Sequence, residues 1–289
     1  MKKYIIMPFI LLIGKGLLAQ DSSLLQLLED SAMQQNKVVT GTFKATQIVN
    51  MPTVEAPPKG GLQFMIMHRF GRINEGGYEL FGLDNATIRF ALDYGLTDRL
   101  AVGVGRSSFD KTFDGSIKWK LVQQKERGWP VSVSLYGLLA HNTLRYSDKP
   151  YLNKKFRTSY VTQALLARKF TRNLSLQLEP SWLHFNLVPT SQDKNDVFAL
   201  GIGGRYKITK RVSINAEYNY LPDDQLVTEA STNSFSFGFD IETGGHVFQL
   251  VFSNSQGMAG PSYLSKTTGK WGEGDVYFGF NVTRAFTLR

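Results

Sequence analysis

From Leu62 onward, apolar and polar side chains alternate with a period of two. Ile88, Phe90, Leu92, Tyr94 and Leu96 alternate with Thr87, Arg89, Ala91, Asp93 and Gly95. Leu174, Leu176, Leu178 and Trp182 stand against Asn173, Ser175, Gln177, Glu179 and Ser181. The same holds for Val212 to Tyr220 and for Phe235 to Ile241. Successive residues of a strand point to opposite faces, so each run predicts a strand with one apolar and one polar face. About twelve such runs are predicted, near 62–71, 86–96, 99–107, 112–123, 130–140, 158–170, 173–186, 196–208, 211–221, 233–242, 246–254 and 274–288. Each is near the ten-residue length of a strand that crosses a bilayer.

The connections sort into two kinds. Thr97-Asp98-Arg99, Thr171-Arg172-Asn173, Thr209-Lys210-Arg211 and Glu242-Thr243-Gly244-Gly245 are tight turns. They alternate with longer stretches at 72–85, 141–157, 187–195, 222–232 and 255–273. Two links fit less well: Phe109 to Lys111 is short for a long loop, and Gln124 to Trp129 is long for a tight turn. This alternation predicts an all-β fold: a closed antiparallel transmembrane β-barrel of about twelve strands at 62–289. A soluble sandwich would show the same periodicity. Three features favour the barrel: long strands, mid-strand charges, and Tyr94, Trp119, Trp129, Trp182, Tyr206, Tyr218 and Tyr220 near strand ends, where interfacial girdles form.

Before the strands the pattern changes. Met1-Lys2-Lys3, the apolar run Ile5 to Ile13 and the small residues before Gln20 have the layout of a secretory signal peptide at 1–19, with cleavage after Ala19. Nine apolar residues are too few for a membrane anchor. Residues 20–61 read as a periplasmic segment: a short helix over 21–36 carrying Leu24, Leu27 and Leu28 on one face, then an extended Pro/Gly-rich connector. That segment is expected to dock a periplasmic partner through its leucine face, or to enter the barrel as a plug.

Composition narrows the chemistry. The chain has 289 residues and no Cys, which excludes disulfides, thiolate metal sites and Cys nucleophiles. Its formal charge is +9; without Lys2, Lys3 and Lys15 the 33 basic residues become 30 against 24 acidic ones. The excess is dispersed, so it predicts no nucleic-acid partner.

Several stretches resemble a Bacteroidota-type outer-membrane β-barrel family catalogued only as a domain of unknown function. They include His68-Arg69-Phe70-Gly71, Leu80-Phe81-Gly82-Leu83-Asp84-Asn85-Ala86 and Tyr94-Gly95-Leu96-Thr97-Asp98-Arg99-Leu100. Gly103-Val104-Gly105-Arg106-Ser107-Ser108, Gly244-Gly245-His246-Val247-Phe248-Gln249-Leu250 and Gly269-Lys270-Trp271-Gly272-Glu273-Gly274-Asp275 complete the set. They run from the first strand to the last, and Thr42-Phe43-Lys44 resembles the family's lead-in. The resemblance implies an outer-membrane barrel surrounded by lipid and no particular activity.

The residues carry little catalytic signal. His141-Asn142-Thr143 has a hydroxyl two residues after a His, as in outer-membrane phospholipases, but Thr stands where those enzymes use Ser and no orienting partner is evident. His68, His141, His184 and His246 are scattered, so no metal and no cofactor is expected. Asp223-Asp224 and Glu273 with Asp275 read as solvated loop acids sooner than a Ca²⁺ site. Gly103-Val104-Gly105 and Gly201-Ile202-Gly203-Gly204 lie inside strands, where inward glycine makes room for larger lumen side chains. Alternation assigns Arg89, Asp93, Arg106, Lys118, Glu179, Arg205, Lys207, Glu217 and Asp240 to the lumen. They are expected either to pair across a filled interior or to line a narrow water path for ions or small solutes. The reading is a non-enzymatic narrow channel; the alternative is a non-conducting structural or partner-binding barrel, or a lipid-active enzyme.

Overall fold

The computed structural model describes residues 37–227 and 231–287. The expected signal peptide at 1–19 and the expected helix over 21–36 fall outside these residues. Twelve antiparallel strands form one closed barrel: β1 (Gly61–Arg72), β2 (Ala86–Gly95), β3 (Leu100–Ser107), β4 (Thr112–Val122), β5 (Ser132–Asn142), β6 (Thr158–Lys169), β7 (Leu174–Phe185), β8 (Asp196–Lys207), β9 (Val212–Tyr220), β10 (Ser234–Thr243), β11 (His246–Ser253) and β12 (Tyr277–Thr287). Each strand pairs with its chain neighbours, and β1 closes on β12 from Gly61↔Thr287 to Arg69↔Gly279. Closure leaves no strand edge unpaired, the condition for a sheet in lipid.

The two faces differ as the periodicity requires. Along β10 the inward positions are Ser234, Ser236, Gly238 and Asp240, all buried, and the outward ones are Phe235, Phe237, Phe239 and Ile241. Val104, Phe198, Ile202 and Trp119 are each more than half exposed on the outer wall. A continuous apolar exterior of this kind is stable only against lipid or a partner.

Three of the tight turns share one device. In Thr97, Thr171 and Thr209 the hydroxyl accepts the N–H groups two and three residues on: Arg99 and Leu100, Asn173 and Leu174, Arg211 and Val212. The sequence pattern Thr-x-x-Leu/Val is thus a side-chain-closed turn.

Two segments occupy the lumen. Residues 37–60 enter from the short-turn end, reach mid-height and return to β1. Of the two expectations for this segment, the described part follows the plug inside the barrel and not the extended periplasmic connector. Phe43, Ile48, Val49, Met51 and Val54 are apolar side chains in a Pro/Gly-rich stretch, and the barrel interior buries them to 5% exposure or less. The loop tip is closed by Ile48 N–H to Met51 C=O (2.9 Å) and Thr53 N–H to Thr46 C=O (2.8 Å). From the other end the β11–β12 connection folds inward as a short helix, α1 (Gly260–Ser265), with every residue buried. Met51 of the loop and Tyr263 and Leu264 of α1 join one apolar cluster with Leu138, Val161, Leu183 and Val197 of the wall.

Candidate functional site

The candidate site is the lumen at mid-height, where the wall grips the inserted loop. Glu217, inward on β9, accepts three consecutive backbone N–H groups: Val49 (3.0 Å), Asn50 (2.9 Å) and Met51 (3.0 Å). Consecutive N–H groups converging on one carboxylate form an anion nest built by the turn. On the opposite wall Lys118, inward on β4, donates to the carbonyls of Thr53 and Glu55, both at 2.8 Å. Gln177 on β7 brackets the returning arm, accepting from Val54 N–H (3.1 Å) and donating to Pro52 C=O (2.7 Å). Gln249 donates to Ile48 C=O (2.8 Å) and Asn281 to Val49 C=O (3.0 Å). Arg69 reaches Asn50 Oδ1 at 3.0 Å, and Asn50 donates to Ser236 Oγ at 3.2 Å. An inserted loop has no sheet partners, and its buried backbone groups need hydrogen bonds from somewhere; here the wall's polar side chains supply them.

Shape matches chemistry. A Cβ on Gly203 would lie 2.5 Å from Ile48 Cδ1, and one on Gly201 would lie 2.8 Å from Met51 Cε. Inward glycines of β8 are the space into which the loop's two largest tip side chains fit. Where the loop leaves, a Cβ on Gly95 would lie 2.0 Å from Pro58 O.

Other wall charges satisfy one another. Arg89 pairs with Asp114 (2.6 and 3.1 Å), Asp93 accepts from Thr46 Oγ1 (3.4 Å), and Glu179 accepts from Gln163 (2.5 Å), Gln177 (3.1 Å) and Tyr263 (3.4 Å). Arg205 bonds Glu242 and Ser213 (2.9 Å) and lies 3.8 Å from Asp240, which accepts from Asn215 and Gln249 (2.8 Å). Glu242 also meets Lys44 of the loop (3.3 Å). Lys207 has inward parity but stands at the short-turn mouth, at the end of β8.

Arg106 corrects the sequence assignment. Its neighbours Gly103 and Gly105 face inward over Asp93 and Arg89, which turns Arg106 outward. There its guanidinium sits 4.8 Å from the centroid of the Phe113 ring, near the long-loop end of β3. A charge near a strand end reaches the polar interface and needs no lumen. The sequence assignment also omits several lumen groups. Arg69, Asp114, Gln63, Gln177, Gln249 and Asn281 all have inward parity, a signal the alternation carries; that all of these but Asp114 partner the loop has no sequence signal.

His141 Nδ1 lies 3.0 Å from Thr158 Oγ1, whose hydroxyl donates to Lys154 C=O (2.9 Å), and the Thr143 hydroxyl donates to Lys111 C=O, so the hydroxyl two residues after His141 is not the one His141 meets. His184 Nδ1 lies 2.8 Å from Asp196 Oδ1, which also accepts from Trp182 Nε1 (3.0 Å) on the outer wall. The loop acids are engaged: Asp224 with Lys194 (2.7 Å), Glu273 with Lys270 (2.9 Å) and Asp275 with Asn74 (2.9 Å).

A closed twelve-stranded barrel with an apolar exterior and a hydrogen-bonded interior is the class of protein defined by this geometry. A family model described as a membrane bound beta barrel domain (DUF5777) matches residues 43–286, and the chain belongs to that family. The match starts at Phe43, so the lumen loop from Phe43 onward lies within the family's domain. No protein of curated function matches the chain in sequence. Similar solved structures include the NanC porin, at 10% identity over 79% of this chain and 99% of that one, TM-score 0.47. The KdgM porin is similar at 9% identity over 78% and 99%, TM-score 0.46. The Acinetobacter baumannii outer membrane protein Omp33 is similar at 11% identity over 80% and 100%, TM-score 0.41.

Proposed function

We propose that the chain is an outer-membrane channel for small solutes or ions, closed in the state seen here by its own N-terminal loop. The short-turn end is then periplasmic, and residues 1–19 are the export signal. The observation that carries this reading is the mode of attachment. The loop tip is held at mid-height by polar and charged wall side chains, above all Glu217 and Lys118. Water that follows the loop out can replace such contacts, at a net cost of about 0.5–1.5 kcal/mol for each neutral one and about 1.5–3 kcal/mol for each charged one. Below α1 the wall that remains is charged and glycine-lined, as a water path requires, and a through path needs α1 to shift as well once its apolar contact with Met51 is lost.

The test is conductance of the refolded chain in planar bilayers, with heat-modifiable gel mobility as the control for a folded barrel. Wild-type protein should rest closed with rare openings. Glu217→Ala strands three buried N–H groups and should raise the open fraction at least about tenfold, the equivalent of roughly 1.4 kcal/mol. A folded Glu217→Ala barrel that stays as silent as wild type would count against the channel and favour a non-conducting barrel.

A further inference from the structure

The long-loop end holds a cavity of about 580 Å³ that the lumen loop does not reach. Its floor is α1, through Ala259, Pro261 and Ser262, and its walls are the 143–157 and 186–195 connections with the ends of β5 to β7. Its size falls within the range of sites that enclose a small organic molecule. Tyr146, Tyr151, Phe156 and Phe185 supply ring surface.

The charge of this cavity is unbalanced in a specific way. Its two acids are already engaged: Asp110 accepts from Lys266 Nζ at 2.7 Å, and Asp193 accepts from the N–H (3.1 Å) and hydroxyl (3.0 Å) of Thr190 and from Val227 N–H (2.8 Å). Lys149 and Arg157 make no ion pair among the described residues, yet both sit against the Tyr146 ring, with Lys149 Nζ at 5.4 Å and Arg157 Cζ at 5.3 Å from its centroid. Arg157 is anchored by donating to the carbonyls of Leu152 (2.9 Å) and Leu144. Two cations gathered on one ring repel each other, and an anion between or beside them removes that cost.

We propose that this vestibule is a binding site for a small organic anion: a phosphate or carboxylate held by Lys149 and Arg157, carried on a ring-sized apolar body packed against the tyrosines and Phe185. The site does not depend on the lumen loop, because none of residues 37–60 lines it.

Phenyl phosphate serves as the probe, titrated calorimetrically into the detergent-folded full chain, with phenol and inorganic phosphate as separate arms. The expected result is one saturable site for phenyl phosphate that neither fragment fills at the same concentration. Lys149→Ala should weaken it about tenfold or more, as loss of one charge-assisted contact does. Tyr151→Ala should weaken it as well and replaces the first variant should that one not fold. Absence of saturable binding, binding indifferent to both variants, or equal binding of inorganic phosphate alone would each overturn the proposal.

Discussion

The Glu217 carboxylate accepts three successive N–H groups of a turn that no strand pairs. Charge-assisted bonds of this kind are roughly twice as strong as neutral ones. Removing their common acceptor strands several buried donors at once. Glu217→Ala is therefore expected to destabilise the folded barrel by about 2–4 kcal/mol, with Glu217→Gln milder, read from urea unfolding in detergent. Gly203 provides a second residue-scale test. Gly203→Val pushes a side chain into Ile48, 2.5 Å from where its Cβ would stand, and overpacking of this sort costs about 1–3 kcal/mol. Adding Ile48→Ala should recover part of that loss; an additive double variant would show that the two do not meet. Arg106 marks a misassignment at the residue scale. Leu100, Val102 and Val104 carry the apolar face of β3, so the alternation itself turns Arg106 outward with them, in agreement with Asp93 and Arg89 packing over Gly103 and Gly105.

At the scale of elements, the three Thr-x-x-Leu/Val turns make the short-turn end self-supporting. Thr97→Ala, Thr171→Ala and Thr209→Ala should each cost about 0.5–1.5 kcal/mol, with near-additive loss when combined, read from thermal mobility shifts on gels. The β11–β12 connection carries a pH dependence. The Asn74 amide, then the Lys270 N–H, hold the Asp275 carboxyl below the usual carboxylate range. A depressed folded value means this contact stabilises above the ordinary carboxylate pKa near 4 and is lost as pH falls through the lower folded value. Wild type should therefore exceed Asp275→Asn in stability at pH 7, and the gap should narrow as the pH falls below the ordinary carboxylate pKa and through the lower folded value. The strands themselves are legible in the sequence because lipid on one side and a polar interior on the other enforce a strict period of two. The observed bounds stay within three residues of the predicted ones. The lumen loop is not legible as such. Its backbone takes its shape from Glu217, Lys118, Gln177, Gln249 and Asn281, which lie 63 or more positions away in the chain, so no local pattern encodes it. Its apolar residues among prolines are the one visible hint, and they fit a plug only once the barrel's glycines are in place.

At the scale of the whole molecule, the barrel is a closed wall with two stoppers. The N-terminal loop rises from the short-turn end, α1 descends from the long-loop end, and they meet where Met51 and Tyr263 share an apolar cluster. The inward parity of Arg89, Asp93, Lys118, Glu179, Arg205, Glu217 and Asp240 follows from the alternation of apolar and polar residues alone. Their task does not, since the same charges could line water. In this state most of them hold the loop or one another. The central claim is that the loop blocks the conduit and can leave it. The chain has no Cys, so a pair introduced at Asn50 and Ser236, whose side chains touch at 3.2 Å, would be its sole disulfide. Placed in the Glu217→Ala background, this pair gives a lock that opens on reduction. Bilayer recordings should be silent when it is oxidised and show discrete steps once a reductant is added. Equal conductance in both states would contradict the loop as the gate, and silence in both would contradict the channel.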